Sequence, residues 1–206
     1  MLQNRVDPFG NIIKTSARGH WLGNRGVIHD EHQTILRPFK LKAWITCLLE
    51  FKGRKRKVMT PDRWTELFFL DEVTAFAAGH RPCCECRRKD FTRFKSSWLK
   101  GNPGYGFTEK TSIREIDKIL HQERIGSNRS KVTFEERIGN IPDGTFVLHD
   151  NKAFLFLDQL LFLWSPSGYE KGVALPDVNK LTVLTPRSVV NAFRAGYIPT
   201  ISKTAI

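Results

Sequence analysis

The chain has 206 residues, of which 40% are hydrophobic and 26% are charged, and its formal net charge is +12. This composition excludes a disordered chain, and no apolar run is long enough for a membrane-spanning helix, so we expect no membrane partner. The first twenty residues contain charges and no apolar segment. We therefore expect no secretory signal and a reducing compartment such as the bacterial cytoplasm.

The positive charge is concentrated in the first half of the chain. Residues 1–100 contain 20 Lys and Arg against 10 Asp and Glu, whereas residues 101–206 contain 13 against 11. This asymmetry favours a polyanionic partner, most simply nucleic acid. We predict a basic zinc-binding region over 1–100 and a helix plus antiparallel β-sheet region over 101–206. The Gly- and Pro-rich segment 101–110 is the predicted boundary.

The first half begins with glycine-rich turns, and strands follow. Residues 5–30 contain repeated turn signals and are predicted as loops. Residues 42–51 are rich in strand formers and place Cys47 inside a strand. Residues 52–57 form a basic turn suited to the tip of a hairpin, and residues 66–70 form a second apolar strand.

Helix signals follow these strands. Asp71 is predicted to cap a helix that stops at Gly79, and residues 88–99 repeat apolar side chains at helical spacing. Thr111 or Ser112 caps a third helix. The remaining segments are predicted as strands over 131–138, 145–148, 153–157, 160–164 and 181–184, and as a last helix over 186–195. The predicted class is α+β, with a zinc-stapled basic N-terminal half and a C-terminal antiparallel β-rich half.

Three of the four cysteines lie within four residues, in the cysteine turn, residues 82–86. Cys83 and Cys86 have the spacing at which one tight turn directs two thiolates to a single tetrahedral ion. We predict a Zn²⁺ site that holds Cys47, Cys83 and Cys86; a redox pair and inert thiols are the alternatives. The fourth ligand is open, with three candidates: His29, His80 and Cys84.

Basic residues surround this turn and fill the segment 52–57, which we call the basic loop. Five cations in six residues repel one another unless an anion comes near, although a simple solvated charge run is the alternative. We predict that these cations contact nucleic-acid phosphates. The predicted contact residues are Lys52, Arg54, Lys55, Arg56, Lys57, Arg81, Arg87 and Arg88.

The opening segment offers a second kind of chemistry. Acid–base and phosphate-binding side chains occur within thirteen residues: Arg18, His20, Asn24, Arg25, His29 and Asp30. His29 and Asp30 are the candidate catalytic pair of an enzyme that acts on nucleic acid or a nucleotide. The alternative is a glycine-supported loop whose polar residues satisfy backbone groups.

The run from Phe68-Phe69-Leu70 through Ala77-Ala78-Gly79-His80-Arg81-Pro82-Cys83 to Cys86-Arg87 resembles the metal-binding domain of Ada-type DNA alkylation-repair proteins. In that family four thiolates hold zinc, and one of them accepts a methyl group from a DNA phosphotriester. The resemblance implies that Cys83 and Cys86 are ligands, that the setting is DNA repair or modification, and that a zinc-bound thiolate is an alkyl acceptor. Ala43 stands where the family has a further upstream cysteine.

The chain is also similar, over a greater length, to a family of uncharacterised bacterial proteins. The shared motifs are Gly-Asn-Arg-Gly-x-x-His-Asp over 23–30, Thr-Glu-Leu-Phe-Phe-Leu-Asp over 65–71 and Gly-His-Arg-Pro-Cys over 79–83. This resemblance implies that the chain is one unit and implies no particular chemistry.

Overall fold

The computed structural model describes residues 1–54 and 57–203. Within these residues the chain forms two β-sheets and four α-helices, which confirms the predicted α+β class. One sheet comes from the first half of the chain and the other from the second half. In the described part of the chain, no helix is both long enough and apolar enough to cross a bilayer.

The first sheet positions the cysteines. Its strands are β1 (Gln3–Val6), β2 (Ile12–Lys14), β3 (Trp21–Asn24), β4 (Ile45–Cys47), β5 (Leu67–Phe69) and β6 (Arg81–Pro82). Their order in the sheet is β2-β1-β5-β3-β4-β6. Strand β4 pairs antiparallel with β3 and parallel with β6, with Thr46 opposite Pro82. Cys47 therefore lies beside the start of the cysteine turn.

The opening segment differs from its prediction as loops, because it contains β1, β2 and β3. These strands have only three or four residues each, so they show little alternation in the sequence. Gly23 lies within β3, where a Cβ atom would come to 2.3 Å from the ring of Phe69. The glycine here permits close strand packing and does not mark a turn.

The basic loop also differs from its prediction as a hairpin tip. The loop connects β4 with β5, and β3 lies between these two strands in the sheet. The loop therefore joins strands that are not neighbours. Its residues 52–54 and 57 are described, whereas Lys55 and Arg56 lie outside the described residues.

The helices are α1 (Glu72–Ala77), α2 (Arg88–Gly101), α3 (Ile113–Arg124) and α4 (Arg187–Arg194). The Asp71 carboxylate accepts a hydrogen bond from the backbone N–H of Thr74 at 2.9 Å and caps α1 as predicted. Ser112 caps α3 by accepting from the backbone N–H of Arg114 at 3.3 Å. Two short 3₁₀ segments are also described, Pro103–Tyr105 and Ile138–Asn140.

The second sheet is antiparallel throughout its described pairings. Its strands are β7 (Phe134–Arg137), β8 (Thr145–His149), β9 (Lys152–Leu157), β10 (Leu160–Ser165), β11 (Gly168–Tyr169), β12 (Val173–Ala174) and β13 (Lys180–Val183). Their order is β11-β10-β9-β8-β13-β7, and β12 pairs with β10. The predicted hairpin across residues 150 and 151 is present as β8 and β9.

The helices form an apolar core that joins the two predicted regions. Buried side chains from both sides of residue 101 belong to one cluster: Phe76, Phe94, Trp98, Ile116, Leu120, Val189, Ala192, Phe193 and Tyr197. Helices α2 and α4 approach closely at Gly101, where a Cβ atom would lie 2.3 Å from the backbone oxygen of Asn191. The apolar core therefore contains residues from both predicted regions.

Candidate metal centre

Three thiols meet at the end of β4. The Sγ atoms of Cys47, Cys83 and Cys86 all lie within 4.8 Å of one another. With Zn–S bonds of about 2.3 Å, two sulfurs on one tetrahedral ion lie about 3.8 Å apart, so only small movements are needed for all three to reach one ion. The cluster can hold a metal ion, and its members are the three cysteines that the sequence analysis grouped.

Backbone hydrogen bonds hold Cys83 and the cysteine turn in position. The N–H of Cys83 donates to the carbonyl of Thr46 at 2.9 Å and extends the β4–β6 pairing by one residue. The N–H of Arg87 donates to the carbonyl of Cys83 at 3.2 Å and closes the turn. The N–H of Glu85 points to the Cys83 Sγ at 3.4 Å, which is the polarity expected around a thiolate.

The three thiols differ in acidity. The pKa of Cys83 is lowered to about 5 because its sulfur accepts a hydrogen bond from the Cys47 thiol and further bonds from backbone N–H groups of residues 85 and 86. The pKa of Cys47 is raised because its thiol donates to Cys83 and is buried, and burial raises the pKa of Cys86. Without a metal, one thiolate is therefore stabilised by two protonated neighbours. Metal uptake at this site must release their protons.

Arg81 and Arg87, which flank the cysteine turn, form buried ion pairs that hold it in place. The guanidinium of Arg81 donates to both carboxylate oxygens of Asp117 on α3, at 2.7 and 2.8 Å. The guanidinium of Arg87 donates to Glu72 at the start of α1, to Asp90 at 2.9 Å and to the Thr46 hydroxyl at 2.7 Å. The turn is thus anchored to three helices and one strand.

These contacts change the interpretation of two predicted phosphate-binding residues. Arg81 is 4% exposed and Arg87 is 3% exposed, and the carboxylates of Asp117 and Glu72 hold their guanidinium groups inside the protein. Both arginines act here as internal supports of the turn. The sequence carries no local signal for this arrangement, because Asp117 is 36 residues from its partner in the chain.

The three candidates for a fourth ligand lie away from the cluster. Among the described residues, the cluster contains no further His, Cys, Asp or Glu side chain. Cys84 is exposed and His80 is buried against Phe69 and Trp44, where its Nε2 accepts from Arg25. The ring nitrogens of His29 contact the Thr65 hydroxyl and the Thr60 carbonyl. The described cluster therefore offers three sulfur atoms to a metal ion.

The candidate catalytic pair is engaged in local structure. The Nδ1 atom of His29 lies 2.6 Å from the Thr65 hydroxyl, and its Nε2 lies 3.2 Å from the carbonyl of Thr60. The carboxylate of Asp30 accepts from the backbone N–H groups of His32 and Thr34 at 3.0 and 2.8 Å and stabilises a turn. No described contact joins this pair to the cysteines, and a catalytic role for it stays a prediction.

The basic loop lies beside the cysteine turn. Arg54 donates to the carboxylate of Glu85 at 2.9 Å, and both side chains are about half exposed. Lys52 and Arg54 also approach the ring of Phe51, at 5.2 and 5.4 Å from its centroid. The exposed predicted cations in the described part of this surface are Lys52, Arg54, Lys57 and Arg88.

The resemblance to Ada-type metal-binding domains is carried by residues 68–87 and stays a prediction. Strand β5, helix α1 and the cysteine turn follow one another in the chain, and Ala43 supplies no thiol. Any shared chemistry must therefore be argued from this site itself. Comparison with models of known protein families, with curated proteins and with solved structures found no match.

Proposed function

We propose that this protein binds zinc and DNA and acts in DNA repair or modification. The observation that carries the proposal is the contact of Arg54 with Glu85, because it joins the basic loop to the cysteine turn. A metal-stabilised turn and a set of exposed cations then belong to one surface. Such a surface is suited to the phosphates of a nucleic acid.

The donor atoms favour zinc. Three thiolates are soft ligands, which select Zn²⁺ over the hard cations Mg²⁺ and Ca²⁺. The three sulfurs come from a strand end and a tight turn, which is a common way to build a tetrahedral thiolate site. In this proposal the ion stabilises the turn and keeps the start of α2 in place beside the basic loop.

The exposed cations supply the DNA contacts. Lys52, Arg54 and Lys57 extend from the basic loop, and Arg88 and Lys89 begin α2 just after the cysteine turn. The carboxylate of Glu85 holds Arg54 weakly, since a half-exposed ion pair contributes at most about 1 kcal/mol. A DNA phosphate can therefore replace that carboxylate at little cost.

Salt dependence tests this proposal directly. We expect the affinity for a short DNA duplex, measured by fluorescence anisotropy, to fall linearly with salt on a double-logarithmic plot. The double variant Lys52→Gln/Arg88→Gln should reduce the slope by about two, one for each lost phosphate contact. The control Lys110→Gln/Lys171→Gln removes the same charge from exposed positions in the second half of the chain. An affinity independent of salt, or equal losses in both variants, would refute the DNA surface.

A second candidate function is a zinc-thiolate alkyl acceptor, and the accessibility of one ligand favours it. Cys47 and Cys83 are buried, whereas Cys86 is only partly buried. A zinc-bound Cys86 thiolate would attack the methyl carbon of a methyl phosphotriester. The S–C bond forms, the C–O bond breaks, and the phosphodiester leaves with the bonding electron pair. The resemblance stated above points to the same class of reaction.

Mass spectrometry tests this second function. After incubation with DNA that contains methyl phosphotriesters, the expected product carries one methyl group on Cys86. The variant Cys84→Ser should react as the wild type does, because Cys84 lies outside the cluster. Unmodified cysteines in zinc-loaded protein, after exposure to an excess of the methylated duplex, would eliminate the alkyl acceptor.

A further inference from the structure

A large cavity lies on another part of the molecule, between the first sheet and the end of α3. Its volume is about 590 Å³, within the range of ordinary ligand pockets. Its lining comes from the β1–β2 segment, the loop over 35–38 and the segment over 124–131, together with Arg25, Trp44 and Ala78. None of the cysteines lines it, so the cavity is separate from the metal centre.

The lining carries cations and no carboxylate. Five of its residues are basic, and its described residues include no Asp or Glu: Arg25, Arg37, Arg124, Arg129 and Lys131 line it. Arg37 and Arg129 are exposed, Lys131 is partly buried, and Arg25 and Arg124 are buried. The charges therefore extend from the mouth of the cavity to its inner wall.

The two buried arginines lack the partners that such groups normally have. Arg25 is 0% exposed and Arg124 is 3% exposed, and neither forms an ion pair within the described residues. Both guanidinium groups lie over the indole of Trp44, at 3.8 and 3.9 Å from a ring centroid. The Nη2 of Arg25 and the Nε of Arg124 have no hydrogen-bond partner in the described structure. Unpaired buried charges of this kind are unfavourable unless something neutralises them.

The remaining contacts of these cations are to neutral groups. Arg25 donates to the carbonyl of Gly10 at 2.9 Å and to Nε2 of His80 at 3.2 Å. Arg124 donates to the carbonyl of Gly79 at 2.8 Å, and Lys131 donates to the carbonyl of Ala77. Burial lowers the pKa of Arg25 to about 9 and that of Lys131 to about 7. Carbonyls and an imidazole orient these side chains and supply no negative charge.

Two acids, Asp7 and Asp117, attract these cations electrostatically, but neither forms an ion pair with Arg25, Arg124 or Lys131. Asp7 is buried, and its carboxylate accepts hydrogen bonds from the backbone N–H of Asn11 at 2.9 Å and from the Asn11 side chain at 3.0 Å. It lies more than 4.0 Å from the nitrogens of Arg25 and Lys131, since it forms no ion pair with either. The cavity therefore keeps an excess of cationic groups over acids.

We infer that this cavity binds a multiply charged phosphorylated small molecule, up to the size of a mononucleotide. The number of cations favours phosphate over a single carboxylate, because a phosphate carries more charge and more acceptor oxygens. The volume accommodates more than a phosphate group alone. The apolar part of the lining, which includes Phe9, Ile12, Ile35 and Ile125, provides a surface for the organic part of the ligand.

Calorimetric titration with pyrophosphate and with adenosine monophosphate tests the inference. We expect saturable binding of one equivalent of each probe and none of adenosine, which lacks the phosphate. The double variant Arg37→Gln/Arg129→Gln should weaken binding by about tenfold or more, because two cations at the mouth are lost. Both residues are exposed, so the variant retains the fold. Lys131→Met removes a cation from the inner wall of the cavity and should likewise weaken binding of both probes.

Matched variants separate this site from the general positive charge. Arg63→Gln/Arg114→Gln removes the same charge from exposed positions outside the cavity and should leave probe binding unchanged. The DNA-surface variant Lys52→Gln/Arg88→Gln should also bind the probes normally, so this inference and the proposed function fail independently. Absence of saturable probe binding by the wild type, or equal weakening by Arg63→Gln/Arg114→Gln, would overturn the inference.

Discussion

The guanidinium of Arg81 binds both carboxylate oxygens of Asp117 inside the protein, at 2.7 and 2.8 Å. Arg81 lies in β6, immediately before the cysteine turn, and Asp117 lies on α3. Their side chains are 4% and 5% exposed. This pair fastens the short strand that carries the cysteine turn to a helix from the second half of the chain.

Removal of the Asp117 carboxylate should therefore destabilise the folded protein strongly. We expect Asp117→Ala to lower the free energy of unfolding by about 3–5 kcal/mol, because it leaves the Arg81 charge buried and unpaired. Denaturant titration followed by circular dichroism measures the change. The partly exposed acid Glu115, which pairs with Lys118 on the same helix, is the control, and Glu115→Ala should cost less than about 1 kcal/mol. Similar losses in the two variants would contradict a special role for the buried pair.

Metal content should depend on three cysteines and be independent of the fourth. Purified wild-type protein is expected to contain one zinc per chain by elemental analysis. Cys47→Ser, Cys83→Ser and Cys86→Ser should each lose most of it, because each removes one of three clustered thiolates. Cys84→Ser should retain the metal, since Cys84 is exposed and outside the cluster.

Chelation should destabilise the same protein. Since the ion binds the folded cysteine turn, its removal is expected to lower the melting temperature, and added zinc should restore it. Differential scanning calorimetry with and without chelator measures the effect. A wild type that contains no stoichiometric metal and melts at the same temperature after chelation would rule out the centre.

Gly79 should tolerate no side chain. Its φ is +85°, and a Cβ atom there would lie 2.3 Å from the Cδ of Arg124. We expect Gly79→Ala to destabilise the protein by more than the roughly 1–2 kcal/mol of the backbone conformation alone. Gly106→Ala is the matched control, because Gly106 also has a positive φ of +66° and nothing within 4 Å. Equal denaturant midpoints for the two variants would show that the approach of Arg124 contributes nothing.

Because of His80, the free energy of unfolding should fall as the pH is lowered. Burial and the nearby charges of Arg25 and Arg124 hold its pKa well below the usual 6.5. Below pH 6.5 the unfolded chain therefore takes up a proton that the folded protein refuses. This group alone removes up to about 1.4 kcal/mol of stability per pH unit between 6.5 and its lower folded-state pKa, and its effect fades as the pH rises above 6.5.

The variant His80→Gln isolates this effect. Its amide oxygen can accept the hydrogen bond that the Nε of Arg25 donates to His80 at 3.2 Å. The neighbouring groups Asp7, Arg25, Arg124 and Lys131 are present in both proteins, so their own titration cancels in the comparison. Between pH 6.5 and 5, unfolding free energies should decline less steeply for the variant. Parallel pH profiles would show that His80 is protonated in the folded protein.

Local features of the sequence were sufficient to predict several elements. Asp71 and Ser112 cap helices because their short side chains accept from backbone N–H groups two or three residues ahead. The hairpin of β8 and β9 was visible as two apolar runs around a short turn. The spacing of Cys83 and Cys86 is likewise a local property, since one turn sets the separation of both thiols.

Other features depended on contacts between distant residues. The opening strands were missed because each is too short to show a period, and their pairing partners lie elsewhere in the chain. Arg81 and Arg87 were interpreted as surface cations because the sequence does not reveal which carboxylates will be buried beside them. The cationic cavity cannot be predicted from the sequence for the same reason, because its residues come from six separate parts of the chain.

The amino-acid sequence by itself determined the α+β class, the helix caps and the thiols available for a metal, because these follow from neighbouring residues. The tertiary structure alone decided which cations remain at the surface and which are buried. It does so because the free energy of a charge depends on water and on partners that only folding brings together.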